Sequence, residues 1–267
     1  MKTEREILKE QLDKILTKEQ IVSDESIMKS YTTGWSGEKF SDTYFVLMPE
    51  NTEEISSILK LCTELKVPIF IQGGNTGLSE GSIPDRTKSV VISLKKMNKI
   101  RFIDPIKGRL VAEAGVTLAE AQRTAESRGL RYAVDLAARE SATIGGTIAT
   151  NAGGIRVVSD GMTRENVIGI EAVLPTGEVV SHLRGLTKDN TGYSLTQLMA
   201  GSEGTLGIIT AATLILKPQI HEKFTIFLHV QQLQEAFQVI RNIQSNSKVL
   251  AAEFIDAESI FITEKSF

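Results

Sequence analysis

A single cysteine, Cys62, in 267 residues rules out an internal disulfide and a cysteine-rich metal site. Charge of one sign is not in excess either. The 30 Lys and Arg stand against 33 Asp and Glu, a net charge of -3. With no long basic run, nothing calls for nucleic acid as a partner. No uninterrupted apolar segment is long enough to span a bilayer, and Met1-Lys2-Thr3-Glu4-Arg5-Glu6 lacks the apolar core of a signal peptide. The expected location is therefore cytoplasmic, with peripheral membrane attachment left open. His182, His221 and His229 lack metal-ligand spacing and read as structural or exposed. No Ser-His-Asp arrangement suggests itself. Two nucleotide signatures are also missing: Gly-x-Gly-x-x-Gly between a strand and a helix, and the Gly-Lys-Ser/Thr P-loop.

What remains is an ordinary globular composition, 41% hydrophobic and 24% charged, long enough for one large domain or two smaller ones. Its chemistry-bearing residue is glycine. The first cluster lies in Ile69-Phe-Ile-Gln-Gly73-Gly74-Asn75-Thr76-Gly77-Leu78, where a strand runs into a loop. A simple hairpin needs one or two residues at positive φ, whereas three glycines beside Asn and Thr have the composition of an anion-binding loop. Tyr44–Met48 reads as a strand, Asn51 with Glu54 caps a helix whose apolar face is Ile55, Ile58, Leu59, Cys62 and Leu65, and Val67–Ile71 reads as the next strand. The glycine loop thus sits at the carboxyl end of a β-α-β unit, where open α/β sheets hold ligands.

Upstream, residues 4–16 carry Leu8, Leu12 and Ile15 on one helical face, and Thr17 with Gln20 has capping-box spacing. Downstream, strands are expected at Val90–Leu94 and Leu110–Ala114, then a helix from the Thr117–Glu120 capping box to about Gly129. The second cluster is Ala142-Thr-Ile-Gly145-Gly146-Thr-Ile-Ala-Thr-Asn151-Ala-Gly153-Gly154, followed by Arg156 and Arg164 as candidates to reach a phosphate. Val167–Leu174 and Val179–Leu183 read as a hairpin about Pro175-Thr-Gly-Glu. The third cluster, Gly201-Ser-Glu-Gly204-Thr-Leu-Gly207, leads into a strand at Ile208–Leu216. The tail reads as a strand at Lys223–Val230, a helix at Leu233–Ile243 and a strand at Val249–Ile255. Each cluster alone has a plainer reading: a strand-end turn, a close helix–strand contact, a helix C-cap. Together they suit one extended ligand touched by backbone in several places. Cys62, Tyr31 and Trp35 read as packing residues, and Lys188–Tyr193 as a loop before a Ser194-capped helix.

Gln72–Gly77, Ile144–Gly154, Lys188–Tyr193 and Gly201–Thr210 resemble, in order and spacing, the FAD-linked oxidase family with the vanillyl-alcohol-oxidase (PCMH) type of flavin domain. The likeness runs from about Tyr31 to Pro218. Its nearest branch is that of the D-2-hydroxyglutarate dehydrogenases, followed by glycolate oxidase flavin subunits and D-lactate dehydrogenases. The resemblance implies an α+β fold with a small parallel β-α-β subdomain (41–108) and a larger mixed or antiparallel one (109–219). An N-terminal helical segment (1–40) precedes them, and the incomplete start of a substrate cap (220–267) follows.

The resemblance also implies FAD along the diphosphate-facing residues Gly73, Gly74, Asn75, Thr76, Gly77 and Leu78. Further contacts would come from Gly115 (beside Glu113 and Ala114), Ser141, Thr143, Gly145, Gly146, Ala149, Thr150, Asn151 and Gly153, and from main chain at Gly207, Ile208 and Ile209. No His occupies the first loop, so the flavin is expected to be non-covalent. Glu80 stands where the family commonly has Gly and is expected to point to solvent. Ala137–Ser141 likewise lacks a Gly often found there. The implied reaction passes a hydride from C2 of a small 2-hydroxy acid to the flavin, with an electron acceptor downstream and a partner subunit or homodimer possible. Catalytic residues and metal ligands are not assigned to this chain. Alternatives are a non-catalytic flavin-binding or electron-transfer subunit, a truncated fragment, and an enolpyruvyl-UDP-sugar reductase-like flavoenzyme.

Overall fold

Thr3 and Glu6 form the capping box that opens α1 (Glu4–Leu12). The computed structural model describes residues 2–35, 37 and 42–266, so the expected domain boundary at residues 40 and 41 lies outside the described residues. The helix stops at Leu12, short of the expected residue 16; Leu8, Leu12 and Leu16 are buried, while Ile15 is half-buried. Thr17 and Gln20 close their capping box over a 3-10 turn that leads into β1 (Ile21–Val22), and α2 (Glu25–Met28) follows.

β2 (Thr43–Leu47) passes to α3 (Thr52–Leu65), whose first turn is capped by Asn51 accepting from Glu54 N at 2.9 Å. Ile55, Ile58, Leu59 and Cys62 of α3 are buried as expected; Leu65 is not, since the last turn runs past the core. Full burial of such an aliphatic side chain is worth about 1.5–3 kcal/mol. β3 (Ile69–Gln72) and β4 (Ser89–Ser93) complete a sheet of order β1-β2-β4-β3, with β2 and β3 each parallel to β4. The β-α-β crossover therefore skips one position, and the wholly buried β4 fills it.

β5 (Ile100–Asp104) and β6 (Arg109–Glu113) form a hairpin. The second sheet therefore begins at Ile100 and not beyond residue 108, because β5 has its ladder partner there. α4 (Leu118–Glu126), β7 (Leu130–Tyr132), α5 (Ile144–Ala149) and α6 (Val157–Asp160) come next. The expected hairpin is β8 (Val167–Val173) with β9 (Val179–Ser181). After α7 (Leu195–Met199), β10 (Ile208–Pro218) runs through the middle of an antiparallel sheet of order β5-β6-β10-β8-β9, and β7 pairs with its far end.

The two sheets share a core: Ala114, Val173 and Ile208 of the second pack with α3, β2 and β4. A polar bridge joins them too. Glu171 of β8 accepts from Thr210 Oγ1 at 2.7 Å, from Thr52 Oγ1 of α3 at 2.8 Å and from Arg101 Nη1 at 3.1 Å. Burial pushes the Glu171 carboxyl up, but those hydrogen bonds and the Arg101 charge outweigh it, leaving the pKa below its usual value.

The tail departs from expectation. α8 (Leu233–Gln244) forms, and α9 (Ala257–Ser266) appears unforeseen, but neither 223–230 nor 249–255 is a strand. Alternating apolar residues make a strand only where an edge offers ladder partners. No residue from Lys217 to Lys265 is buried, and Phe224, Phe227, Phe254 and Phe261 are exposed. Lys248 Nζ, 2.9 Å from Asp160 Oδ1, ties this segment to the body.

Candidate functional site

The carboxyl end of β3 opens directly into the Gly73–Leu78 loop. Among the described residues, the backbone N–H groups of Gly73, Gly74, Asn75, Thr76, Gly77 and Leu78 find no acceptor. Five of these six residues come before any exposed side chain of size, and Leu78 then projects outward, 73% exposed. Asn75 sits at φ 55°, a left-handed conformation that Asn tolerates better than most residues. Its side chain is spent on the loop itself: Nδ2 donates to Thr33 O at 3.2 Å and Oδ1 accepts from Ser82 Oγ at 3.2 Å. A run of six free amide donors fits a diphosphate, which offers acceptor oxygens and no donors.

The three glycine clusters meet at this loop. A Cβ on Gly73 would strike Thr143 Oγ1, and one on Gly74 would strike the Ser141 carbonyl, so the first loop lies flat against residues 141–143. α5 then carries the contact onward. Gly201 N donates to Ile148 O at 3.0 Å and Glu203 N to Ala149 O at 2.9 Å. A Cβ on Gly204 would come 2.5 Å from Ile71 Cδ1, and one on Gly81 would come 3.1 Å from Glu203 Oε2. Backbone from chain positions more than a hundred residues apart is thus brought around α5.

Within the second cluster the roles separate. Gly145 is buried, its N–H donates to Ala114 O at 2.8 Å, and a Cβ there would stand 2.6 Å from Ala114 Cβ, a close helix–strand contact. Gly146 N donates to Thr143 Oγ1, the α5 cap. Ala149 is half-buried, and Thr150 is exposed with its hydroxyl on Gly146 O. Asn151, at φ 47°, accepts from Arg164 N at 3.0 Å through Oδ1. Gly153, packed on Val157 and Met162, leaves its N–H without an acceptor among the described residues. Gly207 faces the Val173 carbonyl, while Ile208 and Ile209 are buried in β10. The two arginines expected near a phosphate are engaged elsewhere: Arg156 pairs with Asp135 at 2.8 Å, and Arg164 Nη2 donates to Ala200 O at 2.7 Å.

Gly74, Gly115, Ser141 and Thr143 share the wall of a cleft of about 430 Å³. Its other residues were not read as site residues: Lys95 and Asn98 follow β4, Val116 and Thr117 lead into α4, Glu120 and Arg123 belong to α4, and Glu140 precedes Ser141. The useful signal was positional, since Lys95 and Asn98 lie just past the carboxyl end of a parallel strand. Arg123 bridges Glu120 at 3.1 Å and Glu140 at 3.3 Å, all three exposed. Glu80 differs from expectation: it is half-buried, with its carboxylate where a Cβ on Gly34 would stand. The local turn, Glu80 at φ 58°, aims the side chain back at the N-terminal segment. His182, His221 and His229 are exposed on separate segments.

Residues 44–182 match a family model described as an FAD binding domain. A mitochondrial D-2-hydroxyglutarate dehydrogenase of Danio rerio is 39% identical over 248 residues, 91% of this chain and 46% of that protein. A D-lactate dehydrogenase of Archaeoglobus fulgidus is 36% identical, over 84% of this chain and 50% of its own. The chain spans about half the length of the curated relatives it matches. Of solved structures, alkyldihydroxyacetonephosphate synthase superposes with a TM-score of 0.71 at 22% identity, covering 79% of this chain and 40% of the other. The p-cresol methylhydroxylase structure gives 0.69 at 21%, covering 82% and 44%. These structural likenesses show the fold, and it is the two-sheet arrangement the motifs implied.

Proposed function

The chain belongs to the FAD-binding domain family, and from that membership we propose that it holds FAD non-covalently and serves as the flavin-binding part of an oxidoreductase acting on a D-2-hydroxy acid. The observation that carries the reading is the Gly73–Leu78 loop, six amide donors without acceptors among the described residues, lying against Ser141–Thr143. These donors would take the diphosphate oxygens, with Gly153 N–H and Asn151 beyond them along the second cluster. Bound FAD supplies an acceptor for a hydride and its electron pair. The chain's own residues supply orientation: α5 and the 201–204 turn hold the second wall in place, and the Thr52 hydroxyl donating to Glu171 ties α3 to the second sheet.

Relatives carrying the names D-2-hydroxyglutarate dehydrogenase and D-lactate dehydrogenase support the substrate class. The proposal places the groups that clamp the acid's carboxylate and take its hydroxyl proton on the share of the relatives' length that this chain does not span. The absence of a His in the first loop supports non-covalent attachment.

The test is a visible spectrum after adding FAD and desalting. Retained oxidised-flavin bands that move to the supernatant on acid precipitation are expected. A folded protein that retains no flavin refutes the cofactor assignment, and flavin in the pellet refutes non-covalent attachment. D-2-hydroxyglutarate and D-lactate added to the same sample, alone and with the unmatched part of the Danio rerio relative, test the substrate class by bleaching.

A further inference from the structure

Gln72 closes β3 and is 0% exposed. Its Nε2 donates to Tyr31 O at 3.0 Å and to Ser82 O at 3.4 Å. Tyr31 is itself fixed, packed with Met28, Val46 and Val91. One primary amide thus joins both ends of the loop, residues 72 and 82, to a rigid point outside it. The second amide of the loop does the same one step along: Asn75 Nδ2 holds Thr33 O, and Ser82 Oγ holds Asn75 Oδ1. Gln72 Oε1 is buried without a partner among the described residues, as is Ser93 Oγ on its register neighbour in β4. A buried acceptor left in that condition costs its desolvation, which offsets part of what the two donor contacts contribute. Beyond that contribution, the contacts fix the loop by tying residues 31 and 82 to the end of β3.

We propose that Gln72 is a positioning residue for the flavin site, holding the Gly73–Leu78 amides convergent by clamping residues 31 and 82. The inference rests on the FAD reading above but makes a separate statement about the cofactor-free loop. Residues 31–33 are then part of the site's architecture, through the carbonyls of Tyr31 and Thr33. Free amides on a loop converge on an anion only if its two ends cannot drift, and a short polar clamp supplies that constraint before any ligand arrives.

The substitution Gln72→Met keeps the volume, removes both donors and removes the unpartnered Oε1. Two quantities are read: backbone amide exchange of residues 73–78 in the cofactor-free protein, and FAD affinity from quenching of the only tryptophan, Trp35. Exchange at 73–78 is expected to quicken at least tenfold relative to the rest of the protein and FAD affinity to fall at least tenfold, while the thermal midpoint of the cofactor-free protein falls as Tyr31 O and Ser82 O lose their donor. A merely structural role would lower the midpoint alone and leave the loop's relative exchange unchanged. Loop exchange and affinity both within twofold of wild type overturn the proposal. If the Met variant does not fold, Gln72→Asn, an amide one methylene shorter that withdraws its donors from Tyr31 O and Ser82 O, carries the same test: quicker exchange at 73–78 and weaker FAD support the clamp, and no change overturns it. Should the wild type itself fail to take FAD, the cofactor reading falls, and the exchange comparison still decides the clamp.

Discussion

Gly77 separates a cofactor cradle from a well-packed turn. Gly73 and Gly74 have protein reasons to be glycine, because a Cβ on either meets residues 141–143. Gly77 has none: no atom of the described residues lies within 4 Å of a Cβ built there, and its φ is outside the left-handed region. Gly77→Ala should therefore do nothing harmful to the fold. By removing freedom from the unfolded chain it is expected to stabilise the protein by about 0.4–1 kcal/mol, a rise of about 1–4 °C in the midpoint. If the Gly77 backbone lies against the diphosphate, the same methyl intrudes on the ligand. Overpacking of that kind costs about 1–3 kcal/mol, which converts to an affinity loss of about fivefold to 140-fold. The assay is paired: thermal melts of the cofactor-free variant, and FAD titration followed by Trp35 fluorescence. An affinity within twofold of wild type, with the fold intact, would remove Gly77 from the site and with it the idea that this loop lies along the cofactor.

Gly74→Ala should act through the fold, since the new Cβ would stand 2.6 Å from the Ser141 carbonyl carbon and 3.2 Å from Ala142 Cα. A loss of about 1–3 kcal/mol is expected, seen as a lower midpoint without FAD, and an unchanged midpoint would refute the contact. Asp160 predicts an acid response: burial raises its carboxyl, but Arg131, Lys248 and Lys217 together hold it well below the usual carboxylate range. A depressed pKa gives stability that is present above the unfolded value, near pH 4, and lost as pH falls through the folded one. Asp160→Asn should cost about 3–5 kcal/mol at pH 7 by leaving Arg131 buried and unpaired, and should flatten the acid dependence of the urea midpoint; an unaltered pH slope would refute it. Deleting residues 220–267 should change stability by no more than about 1 kcal/mol, because Lys248 is half exposed, and should reduce self-association in light scattering. Loss of cooperative unfolding would show the tail to be structural. Cys62, pushed up to about 12 by burial, is expected to resist a thiol reagent until the protein unfolds; rapid labelling of the native protein would contradict its burial.

The local grammar of the chain was legible without a structure. Thr17 with Gln20, Asn51 with Glu54 and Thr117 with Glu120 start their elements as read, because a cap and its partner lie within one helical turn. The three glycine clusters stood out for the same reason: composition at an element end is a short-range signal. Tertiary structure decided which glycines pack against protein and which face open space. Gly145 owes its missing side chain to Ala114, and Gly74 to Ser141, neighbours that no window of the sequence sets beside them. Only pairing placed β4 between β2 and β3, moved β5 into the second sheet and denied the tail its strands, since a strand is specified by a partner edge as much as by its own alternation. Gln72 shows the difference most plainly. In sequence it is a polar residue at the end of an apolar strand; in the fold its amide reaches Tyr31, 41 positions away, a contact that only the tertiary structure could supply.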